Sequence, residues 1–178
     1  MKTLFASVVL TMLSFGATVP VVSEKAPEFA LSSFDGRPVK LSEVVSKGPV
    51  VLVVLRGYPG YQCPFCMRQV RDYTKHAAGF AELGARVILV YPGPPQDLSK
   101  RASEFVGAST LPANFELLVD PDYTFTNSYG LRWDAKGETA YPSTFVIDRQ
   151  GSIRFAKVSR EHGGRTTAAE ILQPDLFR

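Results

Sequence analysis

The chain of 178 residues has only two cysteines and two histidines. His76 and His162 lie far apart in the chain, so they do not form the H-x3-5-H half of a zinc site. A zinc cluster is therefore disfavoured, and both histidines are expected to be surface or hydrogen-bonded structural residues. With two cysteines in all, the chain also lacks the material for a framework of structural disulfides.

Strong charge is missing as well. The chain has 20 Lys and Arg against 17 Asp and Glu, a net charge of +3 and a sequence pI of about 8.9. It contains no basic run with interleaved aromatic residues, the pattern that nucleic-acid-binding surfaces show. We therefore expect no nucleic-acid partner, and the length suits one ordinary globular domain.

The N-terminus holds the most extended apolar segment. Lys2 precedes an apolar stretch from Leu4 to Leu13, and the small residues of Ser14-Phe15-Gly16 follow it. This arrangement is typical of a secretory signal peptide. We expect residues 1–22 to be a signal peptide or an uncleaved membrane anchor, and residues 23–178 to form an exported domain, periplasmic or secreted. A cytoplasmic protein is the less favoured interpretation.

The two cysteines are three positions apart, as Cys63-Pro64-Phe65-Cys66. Residues 49–55 before them are almost all β-branched or aliphatic, which predicts a strand buried on both faces. Apolar residues spaced three or four apart after them predict a helix. These residues are Met67, Val70, Tyr73, Ala77 and Phe80.

Pro64 suits the first position of that helix, so Cys63 is expected to cap the helix and Cys66 to lie in its first turn. Free backbone N–H groups and the positive end of the helix dipole stabilise a thiolate there. We therefore expect a lowered thiol pKa, at least at Cys63.

Three other interpretations of the pair are weaker. A disulfide that closes a loop of about four residues adds only roughly 2 kcal/mol of stability in the chain-entropy treatment. CxxC also opens many zinc clusters, but the other ligands are missing. Inert core thiols are at odds with a position between strand and helix and with Pro64. The spacing therefore favours a redox pair.

The rest of the chain alternates strand-like and helix-like segments without repeats, which predicts a single α/β domain. Strands are expected at 85–91, 115–119, 144–148 and 153–158, the last two as a hairpin, and helices at 96–106, from 120 to about 130, and at 166–172. The segments 29–31 and 39–41 predict a small extra hairpin before the main sheet.

Taken in order, these features resemble the peroxiredoxin-like redoxins of the AhpC/TSA group, within the thioredoxin-fold superfamily. The similarity runs from about Ser23 to Leu172. Its landmarks are 26–31 with Asp35-Gly36, Arg56-Gly57, the cysteine pair, 119–122, 129–131 and 142–148 with Gly151. The resemblance implies a thioredoxin fold, in which helices flank a central mixed β-sheet, with an N-terminal β-hairpin extension.

The resemblance leaves the roles of the cysteines open. Peroxiredoxins carry P-x-x-x-T-x-x-C, and the segment from Pro59 to Cys66 has the same register, with Cys63 in place of the threonine. By this comparison Cys66 attacks peroxide. In thioredoxins the first cysteine of CxxC attacks and the second resolves the mixed disulfide, which would make Cys63 the nucleophile.

Two further residues bear on this choice. Typical peroxiredoxins have an arginine before the T-F-x-I-D strand, where this chain has Pro142. Pro142 looks like the cis-proline that faces CxxC in thioredoxins, and the alternative is an ordinary trans proline at the start of a strand. Arg56 is expected either to bring positive charge to the thiolate or to be a solvated or ion-paired loop residue.

No acid for proton transfer is evident. The strand before the cysteines is wholly apolar, where thioredoxins bury a carboxylate, and Gln69 stands where exported thioredoxin-like reductases often have Glu. Lys25, Glu43 or water are the remaining candidates.

The sequence therefore predicts an exported thiol–disulfide oxidoreductase with antioxidant-type redox chemistry, which needs no metal or organic cofactor. Cys63 and Cys66 are the expected catalytic residues, and Arg56, Pro59, Pro64 and Pro142 are expected to shape the site. The expected partners are an external thiol or disulfide electron donor or acceptor and a protein disulfide or peroxide substrate. One alternative is a hydroperoxide reductase with Cys66 peroxidatic and Cys63 resolving. Another is a non-catalytic binding module that presents the loop 58–65 and Pro142 to a partner.

Overall fold

The computed structural model describes residues 17–107 and 110–178. Most of the predicted signal peptide or anchor therefore lies outside the described residues. Within them, no helix is both long enough and apolar enough to cross a membrane.

Seven strands of the described chain form one mixed sheet. They are β1 (Ala30–Ser33), β2 (Pro38–Lys40), β3 (Val50–Val54), β4 (Arg86–Pro92), β5 (Phe115–Asp120), β6 (Ser143–Ile147) and β7 (Ile153–Val158), in the order β2-β1-β5-β4-β3-β6-β7. β3, β4 and β5 run parallel, and the other pairs are antiparallel. This is the predicted thioredoxin-type architecture. The N-terminal hairpin β1–β2 joins the sheet through β5.

Helices cover both faces of this sheet. They are α1 (Leu41–Val45), α2 (Pro64–Lys75), α3 (Ala77–Glu82), α4 (Leu98–Val106), α5 (Thr124–Ser128) and α6 (Ala168–Ile171), followed by a 3-10 turn, Pro174–Phe177. The short α1 and the final turn were not predicted from the sequence.

The helix predicted to run on through Phe80 is interrupted at His76. The ring nitrogen Nδ1 of His76 lies 2.8 Å from the carbonyl oxygen of Asp72. In a continuous helix that carbonyl would accept the backbone N–H of His76, which donates instead to Tyr73, at 3.0 Å. The chain therefore leaves α2 at this point and starts α3 at Ala77.

The burial of β3 on both faces explains why residues 50–54 are all apolar. It lies between β4 and β6, and every one of its residues is buried. Its side chains alternate between two cores, with Val51 and Val53 on the face that holds the cysteines and Leu52 on the opposite face. Full burial of such a side chain contributes about 1.5–3 kcal/mol, so β3 firmly anchors the start of the cysteine loop.

The chain turns sharply where it leaves β3. Gly57 has φ +64°, and a Cβ atom at this position would lie 1.7 Å from the carbonyl oxygen of Pro92. The same carbonyl accepts the backbone N–H of Tyr58 at 2.8 Å. Only glycine allows this close crossing with the end of β4, and the crossing directs the following loop toward α2.

Candidate active site

Cys63 and Cys66 lie at the N-terminus of α2, as the sequence predicts. Cys63 is the N-cap residue, with φ −78° and ψ 115°, Pro64 is the first helical residue, and Cys66 lies in the first turn. Both cysteines are free thiols, and they are 2% and 1% exposed. The capping position brings the Cys63 sulfur close to backbone N–H groups that have no partner within the helix.

Arg165 is a residue of the site that the sequence did not predict. It lies in the loop between β7 and α6, and its Nη2 is 3.5 Å from the sulfur of Cys63 and 3.3 Å from that of Cys66. Its Nη1 donates to the carbonyl oxygen of His162. Arg165 therefore holds a permanent positive charge against both sulfurs.

The side chain of Arg56 is not directed at the thiolate. It forms an ion pair with Glu138 and donates to the hydroxyl of Tyr61 and, at 2.8 Å, to the carbonyl oxygen of Gly137. Only its backbone N–H reaches the site, where it donates to the sulfur of Cys66 at 3.3 Å. Of the two expectations for Arg56, the ion-paired one is correct. Its acidic partner, Glu138, comes from a distant part of the chain, so local sequence does not indicate the pair.

Pro142 is a trans proline, so the comparison with the cis-proline of thioredoxins is wrong for this residue. It is buried and directly precedes β6, whose first residue, Ser143, lies opposite Val54 at the end of β3. At the start of a strand the missing N–H removes no bond between strands. The carbonyl oxygen of Pro142 accepts the backbone N–H of Ser159, which starts the loop that carries Arg165.

The two prolines of the cysteine segment differ in position. Pro64 begins α2 and is exposed, whereas Pro59 lies half-buried in the loop between Gly57 and the cysteines. That loop is held by Gln62, which accepts the hydroxyl of Tyr91 at 2.6 Å and donates to the carbonyl oxygen of Arg101 at 3.0 Å. These bonds join the loop to β4 and α4 just before Cys63.

The environments of the two sulfurs shift their pKa values in opposite directions. A hydrogen bond from Cys66 lowers the pKa of Cys63, and the backbone N–H of Cys66 and the charge of Arg165 add to this effect against the opposing effect of burial. Burial raises the pKa of Cys66, and its hydrogen bond to Cys63 adds to that. These environments favour the thiolate at Cys63 and the protonated thiol at Cys66.

A cluster of neutral polar side chains lies beneath the cysteines. The hydroxyl of Thr166 is 2.6 Å from that of Tyr73, 2.8 Å from that of Thr144 and 3.1 Å from Nε2 of Gln69. All four residues are buried, and burial raises the pKa of Tyr73 to about 12. Because Thr166 follows Arg165 directly, the cluster fixes the backbone that carries the guanidinium.

Glu138 is the carboxylate of this region, and it was not singled out in the sequence. It accepts hydrogen bonds from Arg56 and, at 2.9 Å, from His162. Although burial opposes the shift, these partners hold the pKa of Glu138 below its usual range. A carboxylate this firmly ionised orders the two loops it joins and is a poor proton carrier at neutral pH.

Neither of the sequence candidates for proton transfer lies at the site. Nζ of Lys25 donates to the carbonyl oxygen of Gln150 at 2.5 Å, in the turn at the far end of β6. Glu43 pairs with Lys40 at 3.9 Å on α1, which packs on the opposite face of the sheet. In the described ranges no three His, Cys, Asp or Glu side chains converge in a way that would hold a metal ion.

Comparison with known proteins agrees with this geometry. The model of the AhpC/TSA family matches residues 22–156. Peroxiredoxin Bcp of Bacillus subtilis is 31% identical over 158 residues, which cover 85% of this chain and 92% of the relative. Thiol-disulfide oxidoreductase ResA of Halalkalibacterium halodurans is 26% identical over 157 residues, covering 85% and 77%.

Two solved structures share the fold. Peroxidoxin BcpB from Mycobacterium tuberculosis has a TM-score of 0.65 at 25% identity and covers 85% of this chain and 93% of its own. The yeast mitochondrial 1-Cys peroxiredoxin has a TM-score of 0.68 at 19% identity, covers 86% and 74%, and shows the likeness of fold alone. With its thioredoxin fold and its paired thiols at the start of α2, the chain belongs to the AhpC/TSA family and is an oxidoreductase acting on thiols, disulfides or peroxide.

Proposed function

We propose that the protein catalyses thiol–disulfide exchange, with Cys63 as the attacking nucleophile and Cys66 as the resolving thiol. The opposite environments of the two sulfurs carry this proposal. Cys63 caps α2 and has a lowered pKa, whereas burial raises the pKa of Cys66. The thiolate is the reactive form, so Cys63 is the sulfur prepared for attack.

The exchange has two steps. The Cys63 thiolate attacks one sulfur of a substrate disulfide, forms a mixed disulfide and releases the other sulfur as a thiolate. Cys66 then loses its proton and attacks the Cys63 sulfur, which closes the Cys63–Cys66 disulfide and releases the second substrate thiolate. The substrate gains two electrons and the protein dithiol loses two.

Trapping of the mixed disulfide tests the assignment. The Cys66→Ser variant should accumulate a stable adduct on Cys63 when mixed with a disulfide-bonded peptide, since no resolving thiol remains. The Cys63→Ser variant should form an adduct at least about 100-fold more slowly, because burial raises the pKa of its remaining thiol, Cys66, and keeps it protonated. A fast adduct on Cys66 in the Cys63→Ser variant, located by mass spectrometry, would reverse the two roles.

A peroxidase reaction through Cys66 is the second candidate. The Cys66 sulfur accepts the backbone N–H of Arg56 and a guanidinium N–H of Arg165, each at 3.3 Å, and this pair of donors would stabilise a thiolate there. That thiolate would attack a peroxide oxygen to give a sulfenic acid and an alcohol or water. The Cys63 thiol would then condense with the sulfenic acid and release water.

Hydrogen peroxide separates the two candidates. We expect slow oxidation in stopped-flow experiments for the wild type and for both single-serine variants, because burial raises the pKa of Cys66, the sulfur in the peroxidatic register, and keeps it protonated. Fast oxidation, with dimedone trapping a sulfenic acid on Cys66 in the Cys63→Ser variant, would establish the peroxidase instead.

Either reaction requires an external redox partner. The solved yeast relative is described as resolved through glutathione and thioredoxin systems. We propose that this chain likewise exchanges electrons with an external thiol system. Equilibration with redox buffers of known potential, read by alkylation and mass shift, gives the potential of the pair and the direction of electron flow.

We further propose that the protein is exported, from the signal-like pattern in residues 1–22. Residues 17–19 belong with the domain, because a Cβ atom at Gly130 would lie 2.9 Å from their backbone atoms. Cleavage after Gly16 would keep this contact, so the N-terminal mass of the protein from an exported fraction should correspond to a start at Ala17. Recovery of the full chain in the cytoplasm would contradict export.

A further inference from the structure

We propose that the groove between α2 and the loop that precedes α6 receives a small disulfide carrying a carboxylate close to its reacting sulfur. This inference rests on the proposed thiol–disulfide exchange and adds a substrate class to it. The groove has a volume of about 370 Å³, within the range of small-molecule sites. Its lining includes Phe65, Arg68, Asp72, Gly163 and Arg165.

Two cations flank the aromatic ring of this groove. The guanidinium of Arg68 is 4.6 Å and that of Arg165 is 5.5 Å from the centre of the Phe65 ring. Arg68 makes no ion pair with any described residue. The groove thus offers positive charge that the described part of the chain leaves uncompensated.

The single acid of the groove is already engaged. Asp72 accepts the backbone N–H of Ala168 at 2.7 Å, at the start of α6, and lies 3.4 Å from the ring of His76. Its carboxylate is therefore held at the start of α6, and among the described residues it makes no ion pair with Arg68 or Arg165. An anionic ligand would meet two guanidinium groups against this one carboxylate, which leaves the charge of the groove positive.

Arg165 lines the groove and also contacts both sulfurs, and one of its N–H donors has no hydrogen-bond partner among the described residues. Its Nε is the one buried side-chain nitrogen or oxygen without a partner among the residues described. A buried donor of this kind is open to a partner from outside the chain, either water or a ligand. A carboxylate in the groove would accept from Nε while Nη2 stays beside Cys63 and Cys66, which are otherwise covered.

This geometry selects substrates by the charge near the sulfur. The carboxylate would bind between Arg68 and Arg165, and the adjoining disulfide would lie against the Cys63 thiolate. The bonds made and broken are those of the exchange, and the released product is an acidic thiol. Charge-assisted bonds to guanidinium groups are the strong class of hydrogen bond, so the preference should be measurable.

Three disulfides of similar size test the inference with the full chain. They are 3,3′-dithiodipropionate, bis(2-hydroxyethyl) disulfide and cystamine, which are anionic, neutral and cationic. Each rate of oxidation of the reduced protein is divided by the rate of the same disulfide with free dithiothreitol, which removes intrinsic reactivity. We expect the normalised rate of the anion to exceed that of the neutral compound by roughly tenfold or more.

Matched charge reversals locate the effect. Arg68→Glu should lower the ratio of anionic to neutral rates roughly tenfold, whereas Arg71→Glu, the same change on the exposed face of α2 outside this groove, should leave it near the wild-type value. Equal normalised rates for the three disulfides, or equal loss in both variants, would overturn the groove proposal and leave the exchange reaction standing. Failure of all three disulfides to oxidise the wild type would overturn the exchange reaction itself.

Discussion

Arg165 and Cys63 are 102 positions apart in the chain, yet a guanidinium nitrogen of the first lies 3.5 Å from the sulfur of the second. Neither Arg56, whose guanidinium pairs with Glu138, nor Pro142 brings a cation to these sulfurs. Arg165 supplies a cation to the sulfurs from the loop after β7 instead. The charge requirement of a thiolate is thus met from a different element of the same fold.

Removal of this charge should raise the pKa of Cys63. In Arg165→Gln we expect the reduced protein to react with iodoacetamide roughly twofold more slowly near pH 6, because less of Cys63 is thiolate. Arg165→Lys is the control, since it retains a positive charge. Alkylation rates measured from pH 4 to 9 give the pKa in each variant. An unchanged pH profile in Arg165→Gln would exclude the electrostatic role.

The stability of the reduced protein should depend on pH through the two thiols. Between the lowered pKa of folded Cys63 and about 8.5, the usual thiol value, the unfolded chain binds more protons than the folded one. Stability therefore rises with pH over this interval, by at most about 1.4 kcal/mol per pH unit. Above it, the raised pKa of Cys66 reverses the slope, because only the folded state then keeps that proton.

The oxidised protein is the control for this pH dependence, because its disulfide does not titrate. Urea unfolding of both forms from pH 5.5 to 8 should show the reduced form gaining stability relative to the oxidised form as pH rises. A constant difference between the two curves would mean that the Cys63 pKa is not lowered in the folded state.

The neutral cluster beneath the cysteines should be sensitive to loss of its central hydroxyl. Thr166→Val leaves Tyr73, Thr144 and Gln69 without their shared partner, and the free energy of unfolding should fall by about 1–3 kcal/mol. Thr74→Val is the control, because the Thr74 hydroxyl bonds only to a carbonyl of its own helix. Urea denaturation measures both. Equal effects would indicate that the cluster contributes nothing beyond loss of a threonine.

The turn after β3 should tolerate only glycine. Gly57→Ala would place a methyl group against the carbonyl of Pro92, and we expect a loss of about 3 kcal/mol or more. Gly36→Ala is the matched control. Gly36 also has a positive φ, +91°, but no other atom lies within 4 Å of the position of the added carbon. It should cost only the backbone strain, about 1–2 kcal/mol. Thermal and urea unfolding of the two variants separate steric clash from strain.

Features decided by neighbouring residues were predictable from the sequence. The cap at Cys63, the first helical position of Pro64 and the buried strand before them follow from local rules, and the structure agrees. Arg165 was not predictable in this way, because no periodicity or spacing indicates that a loop arginine will reach two distant sulfurs. Arg56 had two open roles for the same reason, since Glu138 becomes its neighbour only through the fold.

The side chains around the thiols also decide where a proton can go. The cluster of Gln69, Tyr73, Thr144 and Thr166 is uncharged, and the nearby carboxylate of Glu138 is kept ionised by Arg56 and His162. In the proposed exchange, in which Cys66 resolves a mixed disulfide, the acceptor for its proton is the departing thiolate or water. A more basic thiolate leaves a disulfide more slowly, but it accepts the Cys66 proton more readily. The second effect offsets the first. The protein should therefore turn over disulfides of weakly and strongly basic thiols at more similar rates than a free dithiol does.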